Sequence, residues 1–169
     1  MLYDMHVHTR FSHDGLSNMQ EYCDKALQAG VDAICFTEHI DSDPNDPMHD
    51  YCDIDAYLAA FFDLKKRYEG KVKLMVGIEF TEPQFFGKQL AAMKSYPFDM
   101  VMGSAHYWLD DMFPSEMIEK QIPAQKSYNA YWDAVEAVVT AGGFMVLGHV
   151  DFPKRYYKGY SNFVVDEPF

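Results

Sequence analysis

The stretch "LYDMHVHTRFSHDGLSNMQEYCDKALQAGVDAICF" at residues 2–36 decides the fold class. It begins with a short apolar run at 2–7, continues as an amphipathic run over 17–30, and closes with a second apolar run at 31–36. Ser17 is placed to cap the predicted helix, and Gly30 is placed to end it. Two β-rich runs joined by a helix predict a βαβ unit, in which the two strands lie parallel.

The same alternation continues along the rest of the chain. Further strands are predicted at 72–78, 98–104 and 144–149, and further helices at 53–70, 82–96 and 124–142. The tail from 151 onward is predicted as a loop. Strands that alternate with helices predict an α/β protein with a parallel sheet, and 169 residues predict one domain over 1–169. An open doubly wound sheet and a closed barrel both fit this pattern.

The charge and cysteine content restrict the partners and the compartment. Lys and Arg number 14 against 26 Asp and Glu, which gives a net charge of −12. Nucleic acids and anionic membrane surfaces require a basic face, so we expect neither as a partner. Cys23, Cys35 and Cys52 match no metal-binding spacing and predict reduced thiols, with Cys35 in the core. Without a signal-peptide pattern or a long apolar span, we expect a cytoplasmic protein.

A histidine or glutamate stands at the carboxyl end of every predicted strand. These residues are His6, His8, His39, Glu79, His106 and His149. The carboxyl ends of parallel strands meet at one edge of the sheet, where α/β proteins build their sites. Imidazole and carboxylate are ligands that suit Zn, Mn and Fe. The sequence therefore predicts a divalent metal centre at this edge.

The first strand and its loop offer several candidate ligands. His6 and His8 are two residues apart, so both side chains face one side of the strand and can chelate one ion. Asp4 shares that face and is a candidate to orient a ligand. Asp14, in "SHDG", can reach the same place, and its neighbour His13 is an alternative ligand. Glu38 is a further candidate, but its side chain should point away from that of His39 if the strand continues.

Five motifs, in this order, resemble the PHP (polymerase and histidinol phosphatase) family of metallohydrolases: "DMHVHTRFSHDG", "FTEH", "GIE", "GSAH" and "LGHVDF". The resemblance covers nearly the whole chain. Within the family, "HTRFSHDG", "YPFDMVMGSAH" and "LGHVDFPKRY" look most like the histidinol-phosphatase branch. The resemblance implies a distorted (β/α)7 barrel and thus favours a barrel over an open sheet.

The resemblance also implies a cluster of up to three divalent ions, with Zn, Mn or Fe as the metal. The implied ligands are His6, His8 and Glu79 for the first ion, Glu79, His106 and His149 for the second, and Asp14 and His39 for the third. It aligns Asp14 rather than His13 with a ligand position. It implies Glu79 and His106 as catalytic residues, and Arg155 as a residue that contacts the substrate phosphate.

The implied activity is hydrolysis of a small-molecule phosphate ester, L-histidinol phosphate, in histidine biosynthesis. The family's C-terminal DxH motif has no counterpart after His149. From the sequence we therefore expect an incomplete barrel whose exposed sheet edge favours a homo-oligomer. Two alternatives remain at this point: a PHP phosphoesterase that acts on another small phosphate ester, and a PHP protein that binds metal without catalysis.

Overall fold

The computed structural model describes residues 1–157. The strands are β1 (Tyr3–Val7), β2 (Ala33–Ile40), β3 (Lys73–Thr81), β4 (Met100–Ser104) and β5 (Val146–Leu147). The α-helices are α1 (Met19–Ala29), α2 (Ile54–Arg67), α3 (Gly87–Ala92), α4 (Pro114–Glu119) and α5 (Ala124–Ala141). Short 3₁₀ helices cover Met93–Ser95 and Phe152–Arg155, and the rest of the tail predicted as a loop lies outside the described residues.

The five strands form one parallel sheet in the order β1-β2-β3-β4-β5, which curves as a half-barrel. Every strand therefore pairs with the strand that follows it in the chain. A doubly wound sheet would reverse its strand order at a switch point, and this sheet does not. The predicted parallel α/β class is confirmed, and residues 1–157 supply five strands of the expected seven.

Several boundaries differ from the prediction. Strands β2 and β3 run on to Ile40 and Thr81, beyond the predicted ends at 36 and 78, because buried polar residues continue both strands. Strand β5 is shorter than predicted, with two residues instead of six. Helix α3 is also shorter, since Glu82 has a left-handed φ of 48° at the predicted start. Helix α4 was not predicted.

The ends of the first two long helices follow from local hydrogen bonds. Asn18, not the predicted Ser17, caps α1: its side chain accepts from the Glu21 N–H at 3.0 Å, and the Glu21 carboxylate accepts from the Asn18 N–H at 2.9 Å. This reciprocal pair is a capping box, which satisfies two free donors of the first turn. Gly30 ends α1 with a φ of 69°, as predicted, and the Asp53 side chain caps α2.

Aromatic and aliphatic side chains fix the sheet against the helices. The Tyr57 hydroxyl of α2 lies 2.9 Å from the carbonyl oxygens of both Phe36 and Gly77 and donates between them. Trp108 is buried against Tyr131 of α5. Cys35 is fully buried in the core, as expected. Burial of this apolar surface holds the strand ends in place. Within residues 1–157, no helix has both the length and the apolar character needed to cross a membrane.

Candidate metal centre

The carboxyl ends of the strands line a cavity of about 350 Å³. All seven predicted metal ligands line it: His6, His8, Asp14, His39, Glu79, His106 and His149. They come from five strands and their following loops, which the parallel sheet brings to one edge. The structure therefore brings together the complete set that the sequence placed at the strand ends.

Glu79 lies at the centre of this set and is fully buried. Its Oε2 atom lies 3.0 Å from His6 Nε2 and 3.2 Å from His8 Nε2. Its Oε1 atom lies 3.0 Å from His149 Nε2 and 3.4 Å from His106 Nε2. Each carboxylate oxygen thus faces a different pair of histidines, which is an arrangement that can bridge two cations.

A third group of potential ligands lies beside the first. Asp14 Oδ1 is 3.6 Å from His39 Nε2, and the ligand atoms of His8, Asp14 and His39 all lie within 4.8 Å of one another. His39 Nδ1 also lies 3.6 Å from Glu79 Oε2. This group has room for a cation next to those that Glu79 faces.

The histidines control the charge of Glu79. Burial alone would raise the pKa of this carboxyl group, but four imidazoles surround it and hold its pKa well below the ordinary value. Burial alone would lower the pKa of His106, but Glu79 overcomes this effect and raises it to about 9. Without a metal, the centre therefore holds an ionised carboxylate next to a protonated imidazole.

His39 and Asp14 behave differently because they are unequally buried. Burial lowers the pKa of His39 to about 4, so its imidazole is neutral at pH 7. The nearby imidazole of His39 holds the pKa of Asp14 below its usual range, and this carboxyl group is one-third exposed. A neutral imidazole and an ionised carboxylate are the forms in which these groups bind metal.

The geometry fits bound divalent metal. The Nε2 atoms of His6 and His8 face each other at 3.0 Å, and those of His106 and His149 face each other at 3.2 Å. Glu79 Oε1 is buried, and although His149 Nε2 and His106 Nε2 lie within 3.4 Å of it, no described residue makes a hydrogen bond to it. Buried polar atoms are costly unless something pairs with them, and a cation between these facing nitrogens and oxygens would do so.

Glu38 holds the first loop against β2. Because β2 continues to Ile40, the Glu38 side chain points away from that of His39, as predicted. Its carboxylate accepts from the Thr9 N–H at 3.0 Å, the Thr9 hydroxyl at 2.7 Å and the Ser12 hydroxyl at 2.6 Å. The Ser12 oxygen in turn accepts from the His39 N–H at 2.9 Å. This network fixes the loop that carries Asp14.

Glu82 holds the loop after β4 in a similar way. Its buried carboxylate accepts from the backbone N–H groups of His106 at 2.5 Å and Tyr107 at 3.2 Å. Sequence reasoning missed this residue, because a glutamate after a strand resembles any other loop residue.

Four other residues complete the comparison with the sequence. Asp4, expected to orient a ligand, is exposed and joins none of the ligand groups found among residues 1–157, because the N-terminal part of β1 is open to solvent. His13 is also exposed and outside these groups. Arg155 is exposed and lines the cavity. Asp41, which lies two residues after His39 and also lines the cavity, was not identified from the sequence. The reason is that β2 was predicted to end at 36, whereas it continues to Ile40.

The sequence profile of the PHP domain matches residues 4–165. The chain belongs to the PHP family. This assignment agrees with the motifs at the strand ends and with a half-barrel that carries its potential ligands at the carboxyl edge.

Several relatives of this PHP protein are named histidinol-phosphatases. A Deinococcus radiodurans protein named "Probable histidinol-phosphatase" is 27% identical over 172 residues, and the match covers 92% of this chain and 62% of the relative. The histidinol-phosphatase of Lactococcus lactis is 26% identical over 157 residues, with 90% and 58% covered. The chain thus spans about three-fifths of the length of these curated relatives.

A solved structure is similar over the same range. The histidinol phosphate phosphatase of Lactococcus lactis, crystallised with zinc, L-histidinol and phosphate, superposes with a TM-score of 0.80 at 26% identity. The match covers 92% of this chain and 60% of that protein.

Proposed function

We propose that this PHP protein is a metal-dependent phosphomonoester hydrolase that converts L-histidinol phosphate and water to L-histidinol and phosphate in histidine biosynthesis. The observation that carries the proposal is Glu79, whose two oxygens face separate histidine pairs within 3.4 Å. The names of the relatives support the substrate, and the solved Lactococcus lactis protein holds the two products of this reaction.

We propose the following ligand sets for up to three ions. They are His6, His8 and Glu79 for the first, Glu79, His106 and His149 for the second, and Asp14 and His39, with His8 beside them, for the third. The donors suit Zn, Mn and Fe. Zinc in the similar Lactococcus lactis structure supports a divalent cluster.

Each residue has a defined part in the proposed reaction. Bound divalent ions would supply a hydroxide nucleophile near neutral pH and offset the charge on the phosphoryl oxygens. Glu79 has a pKa well below its ordinary value, so it would hold metal as a carboxylate rather than act as a proton donor. His106 is the second proposed catalytic residue, through its place beside Glu79. Arg155, at the wall of the cavity, would bind the substrate phosphate.

We further propose a single PHP-type domain over 1–169 with the distorted seven-stranded barrel of the family, a cytoplasmic location and a homo-oligomeric state. The half-barrel order of the five described strands supports the barrel. The net charge of −12 supports a small-molecule partner rather than nucleic acid or a membrane surface.

The substitution Glu79→Gln tests the proposed function. It removes a ligand charge shared by two ions, so hydrolysis of L-histidinol phosphate should fall by about a hundredfold or more, with loss of bound metal. Steady-state phosphate release and elemental analysis of the same sample measure both effects. The exposed Glu69→Gln is the matched control, since it makes the same chemical change far from the cavity.

The result of this experiment separates the competing functions. If Glu79→Gln kept both its metal and its rate, the assignment would be wrong. If the unaltered protein hydrolysed p-nitrophenyl phosphate but not L-histidinol phosphate, the substrate would be another small phosphate ester. If it bound metal and hydrolysed neither compound, the protein would be a non-catalytic metal-binding member of the family.

A further inference from the structure

Asp41 is a buried carboxylate that the proposed metal chemistry does not use. It follows the carboxyl end of β2, is 9% exposed and lines the same cavity as the ligand groups. Its Oδ1 atom accepts a hydrogen bond from the Thr81 hydroxyl at 3.1 Å. Its Oδ2 atom is buried and has no hydrogen-bond partner among the described residues. One carboxylate oxygen is thus fixed, and the other is free to receive a donor.

A buried carboxylate oxygen without a donor is unfavourable. No hydrogen bond joins the Asp41 carboxylate to His39 or His106, although one ring nitrogen of each lies within 4.8 Å of it. The groups present in the structure therefore do not satisfy Asp41, and a donor that enters the cavity would.

The neighbourhood of Asp41 favours a cationic donor. Asp46 lines the same cavity and adds a second negative charge near Asp41. The aromatic rings of Tyr107 and Phe113 form another part of the wall. Carboxylates and aromatic faces together attract ammonium and imidazolium groups. This part of the cavity would not attract a neutral alcohol in the same way.

We propose that Asp41 is a specificity-determining residue, which binds the positively charged group on the alcohol part of the phosphate ester through its free Oδ2 atom. The inference rests on the proposed phosphatase function and extends it. Asp41 would thereby favour phosphomonoesters of amino alcohols, such as L-histidinol phosphate, over esters whose alcohol part is uncharged. The competing hypothesis is that Asp41 binds metal, because its carboxylate and one nitrogen each of His39 and His106 lie within 4.8 Å of one another.

The substitution Asp41→Asn removes the charge and keeps the shape. The asparagine oxygen can still accept from Thr81, so the local fold should persist. The control is Asp50→Asn, which makes the same charge change at an exposed position outside this cavity. Asp50 has a φ of 57°, a conformation that asparagine adopts readily.

The test compares kcat/KM for L-histidinol phosphate with that for p-nitrophenyl phosphate, which carries no positive charge. For Asp41→Asn we expect a loss of about tenfold to a hundredfold with the first substrate, as for one charge-assisted hydrogen bond, and less than about threefold with the second. Asp50→Asn should match the unaltered protein on both substrates. Equal losses on the two substrates would refute the specificity role.

Two further measurements separate this inference from the proposed function. Elemental analysis shows whether Asp41→Asn has lost an ion, which would make Asp41 a metal ligand and overturn the inference. Calorimetric titration of the zinc-loaded proteins with L-histidinol needs no turnover. Weaker binding of L-histidinol by Asp41→Asn at equal metal content supports the inference, even if the unaltered protein hydrolyses neither ester. Unchanged binding of L-histidinol overturns it.

Discussion

Substitution of Glu38 should destabilise the protein although Glu38 contacts no proposed ion. Its carboxylate is fully buried and accepts from three donors, the Thr9 N–H and the hydroxyls of Thr9 and Ser12. In Glu38→Gln an amide NH₂ replaces one oxygen and meets a donor. If the Ser12 hydroxyl turned to accept from this NH₂, its own proton would lose the acceptor that Glu38 provides. One or two hydrogen bonds to a charged acceptor are therefore lost.

The expected size of the effect follows from those bonds. Hydrogen bonds to charged groups contribute roughly 1.5–3 kcal/mol each, so we expect the free energy of unfolding to fall by about 2–4 kcal/mol. For a chain of this size, that corresponds to a decrease in Tm of roughly 5–15 °C. The loss should be present without metal, because the Glu38 network includes none of the proposed ligand side chains.

Urea unfolding of metal-free protein measures this change, and hydrogen exchange of the Thr9 amide reports on the loop itself. Glu69→Gln, at an exposed position, serves again as the control and should lie within about 0.5 kcal/mol of the unaltered protein. If Glu38→Gln unfolded at the same urea concentration and the Thr9 amide kept its protection, Glu38 would not anchor the loop as an ionised acceptor.

Two further predictions concern the same loop and the core thiols. A methyl group on Gly15 would lie 1.8 Å from the Thr9 carbonyl oxygen, so Gly15→Ala should displace the neighbouring Asp14. We expect zinc affinity, measured by competition titration, to fall by about tenfold or more. An unchanged zinc affinity would contradict this prediction. Burial raises the pKa of Cys23 and Cys35 to about 12, so only about one thiol in ten thousand is ionised at pH 8. A thiol-specific reagent should therefore react slowly with the folded protein and rapidly with all three cysteines in urea. Rapid reaction of the folded protein would contradict this prediction and show that these thiols are accessible.

The sequence predicted the location of the site more accurately than the boundaries of the elements around it. A polar residue that ends an apolar run, such as Glu79 in "GIE", is visible because the run makes it exceptional. The same rule ended β2 too early, since Glu38 and His39 look like the start of a loop although both are buried. Hydrogen bonds from Thr9 and Ser12 satisfy Glu38 within the strand, and only the tertiary structure shows them.

Residues whose function depends on distant partners were not predictable from local sequence. Asp41 is unusual only because Thr81 fixes one of its oxygens and the described residues leave the other unpaired. Glu82 is important only because the backbone of His106 approaches it from the loop after β4. Asp4 was overvalued for the opposite reason: alternation along a strand gives a side chain's face and not its depth.

The two-sided contacts of Glu79 have a consequence for folding. One oxygen faces histidines near the start of the chain, and the other faces histidines from its second half, so cations on both sides would join segments far apart in sequence. Because the unfolded chain does not hold these ligands together, the free energy of binding such cations would add to the free energy of folding. The metal centre would then also act as a late-forming crosslink, which is complete only when the first and the last described strands have both joined the sheet.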